Sequence, residues 1–414
     1  MTPTRKTTTK KFLKMNVKQA PKSSPRMRVN YNVSLKIQNY DCDNLYPQNI
    51  RAIVAASSTG TTCLNRYCDF IEGNGIKSQA FADFIINQRN ETLDSIVRLV
   101  SRDLGQFGGF ALHVNYDIFC RPCSIEHVPF ENCRLEETDD AGNVSHICLH
   151  PDWTGQTTRH GKRLQVNDKN VVKINVFNPN KETVAKEILE AGGLDQYKGQ
   201  ILYFSADGYM IYPRPIYDST LTDISTDEGL SNVINRNARN NFLPAGIVVT
   251  YKSKTDTSDD PEATHDGKID DSDSETFISN LADLQGDTNS NKMLVVEVEF
   301  PEEKPEFINF PVHNYDKEFS VSTETVEDKI YSAFGQEGWL CLRKGKVGFG
   351  GDVIHDVEID YCRRVAKMQR AISQELFKIL KFFDVSKLPD ALVIDNLKIE
   401  PYTESSNNND NGTD

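Results

Sequence analysis

Long hydrophobic runs are absent from this chain of 414 residues. No stretch approaches the roughly 20 consecutive apolar residues of a membrane helix, and the N-terminus lacks the apolar core of a signal peptide. We therefore expect neither membrane insertion nor secretion. The nine cysteines are widely scattered, and a chain of this length can bury a proper core without disulfides. A reducing, cytosolic origin is the expectation.

Signatures of catalysis are also missing. The chain contains no Gly-x-x-x-x-Gly-Lys-[Ser/Thr] loop, Rossmann glycine fingerprint, Gly-x-Ser-x-Gly elbow or His-Glu-x-x-His helix. The acidic pairs Asp139-Asp140 and Asp270-Asp271 stand in turn or loop sequence, where carboxylates are usually solvated. We expect a non-enzymatic assembly protein without a cofactor.

A cysteine- and histidine-rich region between residues 113 and 150 is the part of the sequence that suggests a metal. Cys120 and Cys123 form a Cys-x-x-Cys pair. Structural zinc needs four converging ligands, commonly from two such pairs, but Cys133 and Cys148 stand alone. We predict no metal site. The alternative is a cytosolic metal-dependent or nucleic-acid-processing enzyme, which stoichiometric zinc would favour.

Charge is divided unevenly along the chain. It has 47 basic and 60 acidic residues, but residues 1–40 hold ten of the basic residues and no acid. The remainder therefore carries 37 basic and 60 acidic groups, a net charge of −23. This split predicts a basic, flexible arm over 1–40, suited to a polyanion or an acidic partner, ahead of an acidic body.

Hydrophobic patterns predict an α+β domain over 41–224. The segment Leu93–Leu104 has apolar residues at three- and four-residue spacing, which is typical of an amphipathic helix. After Gly108-Gly109 the apolar residues alternate over 110–116, which indicates a half-buried strand. Further strands are predicted at 124–129, 144–149, 171–177 and 200–204.

The second half is predicted to be mainly helical. Residues 227–242 form a helix that is polar nearly all round, with five asparagines and two arginines, so it gains little by packing inside one subunit. We predict that it contacts neighbouring subunits, through Asn235, Arg236, Arg239 and Asn240. A loosely packed surface helix is the alternative.

Three further segments complete the pattern. Residues 244–300 predict a small strand, loop, helix and strand module, whose loop over 254–275 carries nine acids. A helix over 323–334 ends at Gly335, and a last long helix runs from about 357 to 383. Between these helices lies a basic, glycine-rich loop, in which Arg343, Lys344 and Lys346 are candidates for contact with a phosphate backbone, and a solvated turn is the alternative.

The order of these segments resembles that of a tailed-bacteriophage portal protein, from about residue 46 to 380. The resemblance is carried by short stretches of sequence, namely Phe70 to Ile76, Asp103 to Ala111, Tyr203 to Tyr209, Tyr212-Pro213-Arg214-Pro215, Asn241-Phe242-Leu243-Pro244 and Phe334-Gly335. It implies a portal-like fold that begins with a wing domain at 41–224, a first stem helix at 225–243 and a clip-like module at 244–300. A second stem helix and its continuation follow at 301–342, and then a candidate tunnel loop at 343–356. The chain is implied to end with a C-terminal helix and strand at 357–399, in place of a full crown, and a disordered tail at 400–414.

The same resemblance implies a function. Portal proteins form a ring, typically a dodecamer, at one capsid vertex, and double-stranded DNA passes through it during packaging and ejection. The implied partners are the major capsid protein, the terminase large subunit and a head-tail connector or adaptor protein. The implied location is the virion, after assembly in the bacterial cytoplasm and without a membrane. Another phage head or neck component is the alternative within this class.

Overall fold

The computed structural model describes residues 29–138, 143–159, 162–163, 165–208, 211–239, 247–251, 294–298, 315–345 and 351–402. The predictions for the acidic loop 254–275, for Asn240 and Lys346, for the arm before residue 29 and for the tail from residue 403 lie outside these residues. Among the helices that are described, none is both long enough and apolar enough to cross a membrane.

An eight-stranded mixed sheet occupies the first half of the chain. Its strands are β1 (Val29–Asn32), β2 (Ile37–Tyr40), β3 (Gly109–Tyr116), β4 (Pro122–Val128), β5 (Cys133–Glu136), β6 (His146–Leu149), β9 (Val172–Val176) and β10 (Gln200–Ser205). They are arranged in the order β1-β2-β5-β6-β9-β10-β3-β4. β9 and β10 run parallel, and the other neighbours are antiparallel. Two separate strand pairs are β7 (Thr158–Arg159) with β8 (Lys162–Arg163), and β11 (Ile247–Tyr251) with β12 (Leu294–Val298).

Helices pack on this sheet and on one another, so the predicted α+β class is confirmed. They are α1 (Tyr46–Ala56), α2 (Ser58–Glu72), α3 (Gln79–Ala82), α4 (Leu93–Phe107), α5 (Lys181–Ala191), α6 (Leu221–Arg239), α7 (Tyr315–Ala333), α8 (Glu337–Arg343) and α9 (Gly351–Leu380). α4 packs on β3 and β4, α2 packs on α4, and α9 packs on α2. One apolar core therefore runs from the sheet to the C-terminal helix.

Local sequence explains the centre of this domain. The Thr92 hydroxyl accepts a hydrogen bond from the Ser95 amide at 3.2 Å and so caps the start of α4. The apolar face of α4 is buried, and Gly108 ends the helix at φ +78°, which favours glycine. β3 begins at the next residue, as the change of period from 3.6 to 2 predicts.

The predicted arm of residues 1–40 is wrong over 29–40. These residues form β1 and β2 at one edge of the sheet, and the Ile37 and Tyr40 side chains are fully buried. The Tyr40 ring stacks on Tyr212 at a centroid distance of 4.0 Å, and its hydroxyl donates to the Pro213 carbonyl. The contacts that bury this hairpin come from residues far along the chain, so local composition does not reveal them.

Several other boundaries differ from the predictions. α8 includes Arg343 and α9 begins at Gly351, so the candidate loop of 343–356 is wrong at residue 343 and over 351–356. α6 begins at Leu221, before the predicted start of that helix at residue 225. α5 was not predicted. Near the C-terminus, Ile399 forms an isolated bridge with Ile76 and returns the chain to the end of α2.

Candidate functional site

Two helices that follow the sheet, α6 and α7, form the frame of the candidate site. α6 is fixed to the α+β domain by Asp227, whose buried carboxylate accepts a hydrogen bond from the Ser57 hydroxyl at 2.6 Å. The Thr59 amide and hydroxyl lie at 3.4 and 3.5 Å from the same carboxylate. Ser57 also caps α2 by accepting from the Gly60 amide at 2.9 Å. One carboxylate therefore joins α6 to the start of α2.

α7 packs against α6. Lys329, near the end of α7, forms an ion pair with Asp223, near the start of α6, at 2.8 Å. Since the end of one helix meets the start of the other, the two helices run antiparallel. Residues 240–314 therefore connect the far ends of this helix pair, at Arg239 and Tyr315.

Two strands are described within that connection. β11 and β12 pair in parallel, with Ile247 opposite Leu294 and Tyr251 opposite Val298. They are the first and last strands of the module predicted over 244–300. The predicted helix and acidic loop between them lie outside the described residues.

A sharp joint separates α7 from α8. Gly335 adopts φ +66°, and the next residue, Gln336, is completely buried. The side-chain amide nitrogen of Gln336 donates to the Cys63 carbonyl at 2.8 Å and to the Tyr361 hydroxyl at 2.9 Å. Its oxygen accepts from Arg66 at 3.0 Å. Gln336 thus connects the joint to α2 and α9, and it fixes the direction in which α8 leaves α7.

The predicted DNA-contacting cations lie at the end of α8. The Arg343 guanidinium lies 3.3 Å from the Glu327 carboxylate of α7, and the Lys344 ammonium binds the Asp328 carboxylate. A hydrogen bond with Tyr331 and the charge of Glu327 raise the pKa of Arg343. The hydrogen bond with Asp328 raises the pKa of Lys344. Both side chains are therefore cationic at neutral pH, and each has a carboxylate partner in its own chain.

Glu327 and Asp328 are site residues that the sequence reasoning missed. A signal was present, since an acidic pair and a basic pair stand at equal distances before and after the Gly335-Gln336 turn. Folding back at that turn brings the two pairs together. The third predicted cation, Lys346, lies outside the described residues.

The predicted subunit-contact residues are on the far half of α6. Asn235 is exposed, and the apolar side chain of Ile234 beside it is 49% exposed. Arg236 and Arg239 are within α6, and Asn240 is beyond its described end. Their role in subunit contact stays a prediction.

The cysteines and histidines of 113–150 are not gathered at one point. Cys133 and Cys148 are buried, and burial raises the pKa of the Cys148 thiol to about 12. The imidazoles of His127 and His146 bind the carboxylates of Asp103 and Glu136, at 2.8 and 2.5 Å. Cys120 and Cys123 are partly buried, free thiols. No three metal-binding side chains converge in the part of the chain that the structure describes.

Comparison with known proteins gives similarities of structure alone. No protein-family model matches the chain, and no curated protein matches it. Three similar solved structures are each 12% identical. The virion of a native gene transfer agent particle has a TM-score of 0.42, with 81% of each chain covered. The neck of the native particle, computed with C12 symmetry, has a TM-score of 0.43 and the same coverage. The neck of the empty particle, computed with C6 symmetry, has a TM-score of 0.43 and covers 86% of this chain and 84% of that one.

Proposed function

We propose that this protein is a structural component of the head or neck of a tailed-phage-like particle, and specifically its portal subunit. In this role it forms a ring at one capsid vertex through which double-stranded DNA passes during packaging and ejection. The observation that carries the proposal is the antiparallel pair of α6 and α7. The pair is rooted in an α+β domain, and residues 240–314 are inserted between its far ends.

This arrangement has the segment order of the portal resemblance. The sheet domain takes the place of the wing, α6 and α7 take the places of the two stem helices, and the inserted module with β11 and β12 takes the place of the clip. α8, the basic segment after it and α9 follow in the order that the resemblance implies for the tunnel loop and the C-terminal helix.

The far half of α6 supports a role for neighbouring subunits. A helix that exposes Ile234 together with Asn235 has an incomplete apolar face within one chain. In a closed ring, every subunit supplies the same two complementary surfaces to its neighbours, so each such helix would be covered. We propose that Asn235, Arg236, Arg239 and Asn240 form part of this contact.

The charge distribution suits a conduit. Each phosphate that a lysine or arginine neutralises adds affinity through release of counterions, and tight binding would oppose sliding. The acidic body repels DNA, while Arg343 and Lys344 are already paired with carboxylates. Contact with passing DNA is therefore weak and independent of sequence.

The remaining parts of the proposal concern partners. The protein acts without catalysis or cofactor and contacts the major capsid protein. The inserted module is the docking site for the terminase large subunit and later for a connector or adaptor protein. The protein resides in the virion after assembly in the host cytoplasm.

Native mass spectrometry of the purified full-length chain tests the ring. The expected mass is twelve times that of the 46.8-kDa chain. Deleting residues 244–300 is expected to abolish or change this assembly, because the connection between the far ends of α6 and α7 loses its paired strands β11 and β12. A matched control replaces only 254–275 with a glycine- and serine-rich linker of equal length, which keeps β11 and β12. A monomeric full-length protein would contradict the proposal, and unchanged rings after the deletion would contradict the role of the module.

A further inference from the structure

We propose that Glu327 and Asp328 are built-in competitors of DNA for the cations at the end of α8. By holding the Arg343 and Lys344 side chains, these carboxylates limit the affinity of this surface for a phosphate backbone. The inference rests on the proposed function, because it concerns how that function keeps DNA free to slide.

The geometry gives each cation its own competitor. Glu327 and Asp328 are consecutive residues of α7, and Arg343 and Lys344 are consecutive residues at the end of α8. Arg343 pairs with Glu327 at 3.3 Å, and Lys344 pairs with Asp328. The buried Gln336 joint fixes α8 relative to α7, so the pairing follows from the fold of this chain alone.

Exposure decides which pair DNA can compete for. The Arg343 side chain is 56% exposed, whereas its partner Glu327 is only 18% exposed. A phosphate can therefore approach the guanidinium while the carboxylate stays in place. In the second pair the cation is the less exposed partner, since Lys344 is 20% exposed and Asp328 is 48% exposed. Arg343 is thus the principal contact, and Glu327 is its principal competitor.

The competition has a measurable consequence in salt. A free cation that binds a phosphate steepens the dependence of log affinity on log salt by about 0.9, whereas a cation paired with a carboxylate contributes less. Removing the negative charge of Glu327 should restore the missing part of that slope. For two proteins that bind DNA equally at 1 M salt, one additional phosphate contact makes the affinity at 0.1 M salt about eightfold higher.

The test is the salt dependence of DNA binding by full-length Glu327→Gln. Fluorescence anisotropy with a labelled 30-base-pair duplex of arbitrary sequence measures affinity at several salt concentrations. We expect tighter binding and a steeper slope, by up to about eightfold at 0.1 M salt and up to about 0.9 for each Arg343 of the ring that contacts the duplex. Arg343→Gln removes the principal contact and is expected to weaken binding.

A matched control separates this effect from a change in net charge. Glu375 on α9 is 13% exposed and lies 2.5 Å from Lys378, which is 55% exposed. Glu375→Gln makes the same change in net charge as Glu327→Gln and frees the Lys378 ammonium. Lys378 lies near the C-terminal end of α9, whereas Arg343 precedes the N-terminal end of that helix. Glu375→Gln is expected to leave the slope unchanged. Equal effects of Glu327→Gln and Glu375→Gln would overturn the proposal.

A double-variant cycle supplies a second test. In an Arg343→Gln background the competitor has nothing to hold, so adding Glu327→Gln should give no further gain in affinity. A gain of the same size in that background would overturn the proposal. Should Glu327→Gln fail to fold, as judged by circular dichroism, Asp328→Asn takes its place, because Asp328 is 48% exposed. Its control is Asp395→Asn, since Asp395 is 50% exposed and pairs with Lys77 and Lys398.

The outcome is distinguishable from failure of the proposed function. The same preparations are examined by native mass spectrometry. Absence of a ring in the unaltered protein counts against the portal role. If Glu327→Gln forms rings but has an unchanged salt slope, only the proposal that Glu327 and Asp328 compete with DNA is contradicted.

Discussion

The carboxylate of Asp227 accepts a hydrogen bond from the Ser57 hydroxyl at 2.6 Å, and Ser57 is the residue that caps α2. This bond joins α6, which leads to the inserted module, to the helical layer of the α+β domain. Both side chains are almost fully buried, so water does not compete for the bond. It fixes the root of the helix pair on which the proposed function depends.

Replacing Asp227 with alanine should therefore destabilise the protein. The Ser57 hydroxyl loses a charged acceptor in a buried place, which costs about 2–3 kcal/mol of unfolding free energy. Urea denaturation at fixed protein concentration measures it. Asp223→Ala is the control, because its ion pair with the 57% exposed Lys329 contributes less than about 1 kcal/mol. Equal losses from the two substitutions would show that Asp227 has no special role.

Gly73→Ala should release the C-terminal segment from the end of α2. Gly73 has φ +59°, and an added Cβ would lie 2.2 Å from the Glu400 carbonyl oxygen. The Asn74 amide, which donates to that same oxygen at 2.9 Å, should then exchange faster with deuterium. Gly192→Ala is the matched control, since Gly192 has φ +91° but no atom within 4 Å of the added Cβ. Unaltered protection of Asn74 in Gly73→Ala would refute this prediction.

Truncation should locate the true start of the folded domain. Removing residues 1–28 leaves β1 and β2 intact, so solubility and thermal unfolding should stay close to those of the full chain. Removing 1–40 deletes both strands and leaves β5 as an exposed sheet edge, which invites aggregation. The two truncated proteins are compared by thermal unfolding and by recovery after centrifugation. Equal behaviour of both would contradict the assignment of 29–40 to the sheet.

Stability should fall in acid partly through Glu136. Although burial raises the pKa of this carboxyl, hydrogen bonds from Lys173 and His146 outweigh that effect and hold it below its ordinary value of 4.5. The stabilisation is therefore present above pH 4.5 and is lost as the pH falls toward the lowered pKa. Glu136→Gln removes it, so its unfolding free energy should depend less on pH below 4.5. Glu190→Gln, in an exposed ion pair, should keep the dependence of the unaltered protein.

The elements that could be predicted from sequence are those specified by local spacing. α4 has its apolar residues on one face and a capping Thr92, and β3 alternates apolar and polar residues from Gly109. The hairpin of β1 and β2 could not be predicted in this way. Tyr40 is buried by Tyr212 and Pro213, which are distant in the chain, and the surrounding residues have the composition of a solvated arm.

The candidate site shows the same division. Arg343 and Lys344 are visible in the sequence as adjacent cations, but their pairing with Glu327 and Asp328 depends on the turn between α7 and α8. Gln336 at that turn has no local signal, because it is buried only where three partners from α2 and α9 converge.

Negative-stain electron microscopy of the purified full-length protein tests the central claim most directly. The portal assignment predicts rotationally symmetric rings with a central hole wide enough for a DNA duplex. A protein that remains monomeric, or that forms particles without a central hole, would contradict it.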